Sequence, residues 1–220
     1  MSRKALRRLL LWTPLAGVLF LWGCGTAAML AERHALIYRF DRWQTDARAV
    51  RQGGEVVEIA GHDGTPIAVW TVAPREGMPL VLHFGGNVGV LRRAVSRMRP
   101  LVEAGYGAAV MNYRGAGGMP GAPSQADIVA DAVAVHDALA GDAPPVLYGT
   151  SIGAAVAVEL AARREARALV LAAPFAQLCT VAEHHHPWVP ACLVMWDERW
   201  DSVERIGGVA TPVLILHGAR

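Results

Sequence analysis

A chain of 220 residues that is 53% hydrophobic and 18% charged cannot be intrinsically disordered, and its 23 glycines follow no three-residue period, which removes a collagen-like fibre. The net charge of +2 is owed to the first eight residues. Without Arg3, Lys4, Arg7 and Arg8, 17 bases face 19 acids, which leaves no basic surface for nucleic acid.

From Leu9 to Ala31 there are 23 residues without a charge, between Arg8 and Glu32. At about 1.5 Å per residue such a helix reaches across a hydrocarbon core about 30 Å thick. The upstream bases would hold the N-terminus in the cytoplasm and send the rest across. Residues 1–31 are therefore expected to form an N-terminal membrane anchor or signal segment, with residues 9–31 in the bilayer and Pro14 tolerated near the helix start. Two processing alternatives stand beside an uncleaved anchor. Leu21-Trp22-Gly23-Cys24 is similar to a bacterial lipobox, in which Cys24 would become the lipidated N-terminus, although Trp22 is bulkier than that motif prefers. Gly25, Thr26, Ala27 and Ala28 would admit ordinary signal cleavage. Each alternative puts the following domain outside the cytoplasm, in a bacterial periplasm or at the cell surface. The other two cysteines, Cys179 and Cys192, are expected as buried free thiols, with a disulfide in an oxidising compartment as the alternative. No spacing matches a zinc site, and neither a metal nor a cofactor is called for.

Residues 32–54 read as a polar, Arg-rich connector. Glu55–Ala60 and Pro66–Ala73 flank His62-Asp63-Gly64, the pattern of a hairpin, which makes His62 and Asp63 turn residues rather than catalysts. Short apolar runs follow at Leu80–Phe84, Ala108–Met111, Val146–Tyr148, Ala168–Ala172 and Val213–Leu216, with helical patterns at 89–104, 124–140 and 152–165 between them. Near-continuous apolar strands, each followed by a helix, predict an α/β fold: a mostly parallel sheet covered by helices on both faces. Residues 55–220 would form this domain, and the excursion at about 174–211 a small cap. The length suits a single such domain, and no internal repeat points to a solenoid.

Gly149-Thr150-Ser151-Ile152-Gly153 fits G-x-S-x-G, with a strand ending directly before it and a good helix beginning after it. A serine on so sharp a turn is held exposed in strained backbone, and residues two before and two after it crowd together, so Gly149 and Gly153 supply room that side chains would deny. The helix N-terminus beneath it offers N–H groups to developing negative charge. Ser151 is therefore the candidate nucleophile. In acyl transfer the tetrahedral oxygen needs two donors. One would be the N–H of Ile152; the other would come from the loop Gly85-Gly86-Asn87-Val88-Gly89 after the third strand, with Asn87 N–H preferred over Gly86.

These strings, with His83-Phe84 ahead of the loop, Asn112-Tyr113-Arg114-Gly115, Gly117-Gly118, Gly121-Ala122-Pro123-Ser124, Ala172-Ala173-Pro174-Phe175, Asp201 to Ile206 and Pro212 to Gly218, resemble the α/β-hydrolase superfamily over about residues 55–220. Within it the resemblance is to the membrane-anchored serine hydrolases, a group that includes protein depalmitoylases. It implies a serine hydrolase of ester or thioester bonds acting on a small-molecule or lipid-like acyl substrate. In that family the triad runs Ser, Asp, His along the chain, the acid within a His-Gly-x-x-Asp pattern. Here His217-Gly218-Ala219-Arg220 stops one residue short of that Asp, so the resemblance implies a truncated or fragmentary chain, with acid, base, last strand and last helix beyond Arg220. The strand Val213–Leu216 would then offer an unpaired apolar edge that invites aggregation.

No other histidine is an obvious substitute. His184-His185-His186 cannot all face one group and read as a solvent-facing or cap-packing run; His136 and Asp137, neighbours on a helix, point about 100° apart. His83 and His217 lie at strand ends, where packing is the ordinary role. Trp188, Trp196 and Trp200 would line an acyl pocket or pack the cap on the body. Two alternatives remain beside the esterase reading: a catalytically silent, membrane-tethered protein that binds acyl ligands or acts as a scaffold, and a serine peptidase of the same fold.

Overall fold

The computed structural model describes residues 3–40, 46–88, 91–141 and 143–218, with side chains from residue 12 onward. Among the described residues, eight α-helices and seven strands follow one another as α1 (Arg3–Ala31), α2 (Arg33–Ile37), β1 (Glu55–Ala60), β2 (Pro66–Val72), β3 (Leu80–Phe84), α3 (Leu91–Glu103), β4 (Gly107–Met111), α4 (Gln125–Leu139), β5 (Val146–Thr150), α5 (Ile152–Ala161), β6 (Ala168–Ala172), α6 (Leu178–His185), α7 (Ala191–Val194), α8 (Ser202–Ile206) and β7 (Val213–Leu216). The sheet order is β1-β2-β4-β3-β5-β6-β7, antiparallel at β1–β2 and β2–β4 and parallel elsewhere. This is the α/β fold expected, with the hairpin turning at His62-Asp63-Gly64.

The period-two alternation of each strand splits the core into two layers. Ile67, Val69, Leu82, Phe84, Ala109 and Met111 face the side covered by α4 and α5. Their neighbours Ala68, Trp70, Val81, Ala108 and Val110 face α3, which answers with Leu91, Ala94, Val95 and Met98 at helical spacing. Helix α5 is buried on all sides from Ile152 to Leu160, which explains its lack of an amphipathic pattern. It ends earlier than expected: the N–H groups of Arg163 and Arg164 both close on the Leu160 carbonyl at 2.8 Å. Helix α4 is capped by Ser124, whose hydroxyl accepts from the Asp127 N–H at 3.1 Å.

Residues 32–54 are more than a connector. Tyr38, Phe40, Ala47 and Val50 are buried, and they supply both core layers. The density of arginines hid this, because the apolar residues between them follow no regular period. Residues 41–45 of that stretch lie outside the described residues, as do Gly89 of the loop after β3 and the last two residues, Ala219 and Arg220. Cys179 and Cys192, expected as free thiols, form a disulfide that ties α6 to α7. Pairing could not be inferred from spacing alone, since it depends on how two short helices lie against each other. Strand β7 pairs with β6, and its four side chains are 40–58% exposed.

Candidate active site

The chain order of the sheet reverses at β3: β4 lies on one side of it and β5 on the other. Loops leaving the carboxyl ends of strands on either side of such a reversal diverge and leave a crevice, where ligands bind in open α/β sheets. Phe84 of β3 is paired with Gly149 of β5, so the loops that follow them start side by side. The three residues expected to form the site, Ser151, Ile152 and Asn87, line one cavity there.

Ser151 occupies the bend between β5 and α5 with φ 55° and ψ −120°, a region that L side chains rarely adopt. Its N–H donates to the Ala172 carbonyl at 2.9 Å, and its carbonyl accepts from Ala154 N–H at 2.8 Å, which clamps the bend from both ends. The flanking glycines are sterically required. A Cβ on Gly149 would lie 2.1 Å from the Gly153 carbonyl oxygen, and one on Gly153 would lie 2.2 Å from that of Phe84 and 2.4 Å from that of Gly85. Gly153 thus lets α5 start directly against the loop after β3.

That loop is held at two points. Tyr113 donates its hydroxyl to the Gly85 carbonyl at 2.8 Å, and burial raises this phenol well above its usual range, so it remains a donor. The Arg39 N–H donates to the Asn87 carbonyl at 3.1 Å. Gly86 passes close to the serine, at the distance where a Cβ would meet Ser151 Cβ at 3.7 Å; Gly85 has open space around its Cβ direction. Among the described residues, the N–H groups of Ile152 and Asn87 have no hydrogen-bond acceptor. Oxyanion stabilisation requires two such donors, and both residues line the cavity that holds Ser151.

The cavity measures about 750 Å³, within the range that holds a small organic ligand. Its walls are mostly apolar: Phe175, Leu178, Val181, Val189, Val194 and Met195 from the residues after β6, and Met29, Leu36 and Ile37 from α1 and α2. Among the described residues, Arg33 and Arg39 are the cations that line it, and no carboxylate does. Arg33 is bound to Asp197, with Nε donating to Oδ1 at 3.1 Å.

The histidines separate clearly. His83 is fully buried on β3, edge-on to Tyr148 with ring centroids 4.9 Å apart and its Nε2 3.4 Å from Thr150 Oγ1. Burial, helped by the charge of Arg97, lowers its pKa to about 3, so it is neutral and acts in packing. His136 and Asp137 meet at 3.1 Å, contrary to the expectation that neighbours on a helix diverge, because Asp137 folds back to Arg164, whose Nε and Nη2 donate to it at 2.7 and 2.8 Å. That pair joins α4 to the end of α5 and does not line the Ser151 cavity. His217 is exposed on the loop after β7. His184, His185 and His186 are all exposed, and His185 and His186 also line the Ser151 cavity, a placement that no motif announces. No hydrogen bond to the Ser151 hydroxyl is formed among the described residues.

The tryptophans also divide. Trp188 lines the cavity and Trp196 is exposed, whereas Trp200 is fully buried and donates its indole N–H to Tyr38 Oη at 3.1 Å. Tyr38 in turn donates to the buried carboxylate of Glu198, which also accepts from Gln125 N–H at 3.0 and 3.2 Å. Burial raises Glu198 above the usual carboxylate range and Tyr38 above the usual phenol range. This network fastens the residues after α7 to the N-terminal segment, and sequence reading missed it because no motif marks it.

A second polar cluster lies at the hairpin turn. His62, Asp63 and Asp131 place ligand atoms within 4.8 Å of one another, as a metal site would. The Arg114 guanidinium already fills that role, donating to Asp131 at 2.7 Å and to Asp63 at 3.1 Å. It holds the Asp63 carboxyl far below its usual range. The cluster is a structural clamp of turn to α4.

A family described as Serine aminopeptidase, S33 (Hydrolase_4) matches residues 80–203. The uncharacterized protein MT2364 of Mycobacterium tuberculosis is 34% identical over 99% of this chain and 79% of its own length. Lysophosphatidylserine lipase ABHD12 of Rattus norvegicus is 33% identical over 63% of this chain, which spans 40% of that protein. Other relatives are likewise longer: this chain spans 63% of Rv2307c of Mycobacterium tuberculosis and 65% of YfhR of Escherichia coli. Among solved structures, an alpha-beta hydrolase from Vibrio vulnificus superposes with a TM-score of 0.68 at 18% identity, covering 83% of this chain and 73% of that one.

Proposed function

The chain belongs to the serine aminopeptidase S33 hydrolase family of the α/β-hydrolase superfamily, and from that premise we propose that it is a membrane-anchored serine hydrolase that cleaves acyl esters or thioesters. The observation that carries the proposal is the bend at Ser151: a non-glycine residue at φ 55°, clamped between two glycines that cannot bear a side chain, in one cavity with Ile152 and Asn87, whose N–H groups have no acceptor among the described residues.

In this reading Ser151 Oγ attacks the substrate carbonyl carbon, and its proton passes to a general base. The carbonyl oxygen becomes an oxyanion held by the N–H groups of Ile152 and Asn87. Collapse expels the alcohol or thiol and leaves an acyl-serine, which water then hydrolyses. Gly85 and Gly86 keep the loop close to the serine, and Gly149 and Gly153 keep the bend open. By the family's chain order the acid and base belong after β7.

The cavity supports an acyl rather than a peptide substrate. An aminopeptidase must receive a protonated amino terminus, which calls for a carboxylate, and none of the described residues that line this cavity supplies one. Apolar walls with Arg39 at the same cavity suit an acyl chain with a neutral or anionic head. The lipase named among the relatives is consistent with that class of substrate. The disulfide supports an extracytoplasmic domain, and α1, apolar and with no fully buried residue from Trp12 to Ala31, supports an anchor. Residues 174–211, with α6, α7 and α8, serve as the cap.

The test is covalent labelling of the membrane-bound protein by a fluorophosphonate, followed by turnover of p-nitrophenyl acyl esters, acyl thioesters and aminoacyl anilides. Labelling lost in Ser151→Ala, with turnover of the acyl substrates, is expected. Saturable binding of fatty acid without labelling would instead make the protein a tethered acyl-binding module, and preference for the anilides a peptidase.

A further inference from the structure

Three residues of α1 at spacings of three and four, Trp22, Gly25 and Met29, meet the cap. The Trp22 indole N–H donates to the Trp188 carbonyl at 2.6 Å. The Trp188 ring lies against Gly25, where a Cβ would meet it at 3.5 Å, so a residue without a side chain stands where the ring approaches the helix. Met29 packs on the cluster built around the buried Cys179, Val189 and Met195.

These contacts fix the depth of the cap. The uncharged run of 23 residues is only slightly longer than a hydrocarbon core of about 30 Å requires. If hydrocarbon begins at Leu9, the earliest uncharged position, some twenty residues carry it to about Ala28. Gly25 then lies about 4–5 Å, and Trp22 about 9 Å, inside that boundary. Any later register sinks them deeper. A loop bound to both residues lies at the same level. The surface there is apolar: Trp188 is 50% and Leu36 53% exposed. Arg33, Arg39 and the exposed His184 to His186 stand beside it, a mixture suited to the headgroup layer and the first carbons, where amphipathic surfaces bury by about 5–10 Å.

We propose that the cap is embedded, through Trp188 and Leu36 around the cavity mouth, in the interfacial layer of the bilayer that α1 crosses, so that the Ser151 cavity opens sideways to membrane-resident acyl amphiphiles. The partner is the lipid surface; the inference rests on α1 being a span, not on the chemistry of Ser151.

The experiment uses the full chain in lipid nanodiscs, in a Cys24→Ser background, with a bimane label at Pro187→Cys or Leu36→Cys. Val18→Cys, in the middle of the span, reports full immersion; Glu103→Cys, on α3 at the opposite end of the sheet, reports water. Lipids doxyl-labelled near the headgroup should quench Pro187 and Leu36 labels to at least about half the extent seen at Val18, and leave Glu103 unquenched. Quenching at Pro187 and Leu36 equal to that at Glu103, with Val18 quenched, overturns the proposal. So does burial of the labels by a second copy, seen as a blue shift without quenching. An unquenched Val18 removes the span and the proposal together. Loss of fluorophosphonate labelling with quenching intact would refute the hydrolase reading alone.

Discussion

Replacing Ser151 by glycine should make the protein more stable while removing its nucleophile. Backbone held at φ 55°, ψ −120° costs a side-chain-bearing residue about 1–3 kcal/mol. Glycine relieves that strain but loses about 0.5–1 kcal/mol more chain entropy on folding than alanine does. The net gain is about 0–2.5 kcal/mol, and for a chain of this size each kcal/mol moves the melting temperature by about 2–4 °C. Ser151→Ala separates strain from chemistry, because it keeps the Cβ and its strain and discards a hydroxyl that has no hydrogen bond among the described residues. Alanine should therefore melt within about 2 °C of the parent, and glycine above both. Thermal unfolding of the three proteins in the same detergent micelle measures the order. If glycine melts below alanine, the bend stores less strain than glycine's own entropy cost and the argument for an activated serine loses its structural footing.

Acid should destabilise the protein through His83. Its folded-state pKa, lowered to about 3, means that its contribution is complete above pH 6.5 and is lost as pH falls toward 3. Each pH unit below 6.5 costs about 1.4 kcal/mol, so about 2 kcal/mol disappears by pH 5. Unfolding midpoints at the two pH values should converge in His83→Gln; unchanged pH sensitivity would refute the assignment. Arg114→Met leaves Asp131, which has no exposed surface, without its cation, and should cost about 3–5 kcal/mol. Adding Asp131→Asn should recover part of that loss. A single variant as stable as the parent, or a double variant no better than the single, would show that the clamp is not coupled as its geometry implies.

Much of the fold could be read from the sequence because it is encoded by local signals. Apolar runs such as Leu80–Phe84 and Ala168–Ala172 are of strand length, the Asp63-Gly64 pair turns the hairpin, and G-x-S-x-G lies between a strand and a helix. The convergence of Ser151, Ile152 and Asn87 on one cavity followed from where those loops leave the sheet. What escaped was long-range and unpatterned. Tyr38, Glu198 and Gln125 meet across a wide span of sequence, and nothing in any one of them announces the others. The three tryptophans of the cap look alike in sequence and meet three different fates, because exposure is decided by the neighbours that fold over each of them. Ideal helix angles set His136 and Asp137 apart, yet the two meet where Asp137 also accepts from Arg164.

The bridge between Cys179 and Cys192 bears on how the protein acquires its working shape. Helices α6 and α7, of eight and four residues, are too short to persist unaided, and together they supply one wall of the cavity. The sheet can assemble by burial alone, but that wall needs an oxidation event to be finished. Material matured among reducing thiols would have a sound scaffold and a slack binding chamber, and assays for turnover on such material would measure its upbringing rather than its design.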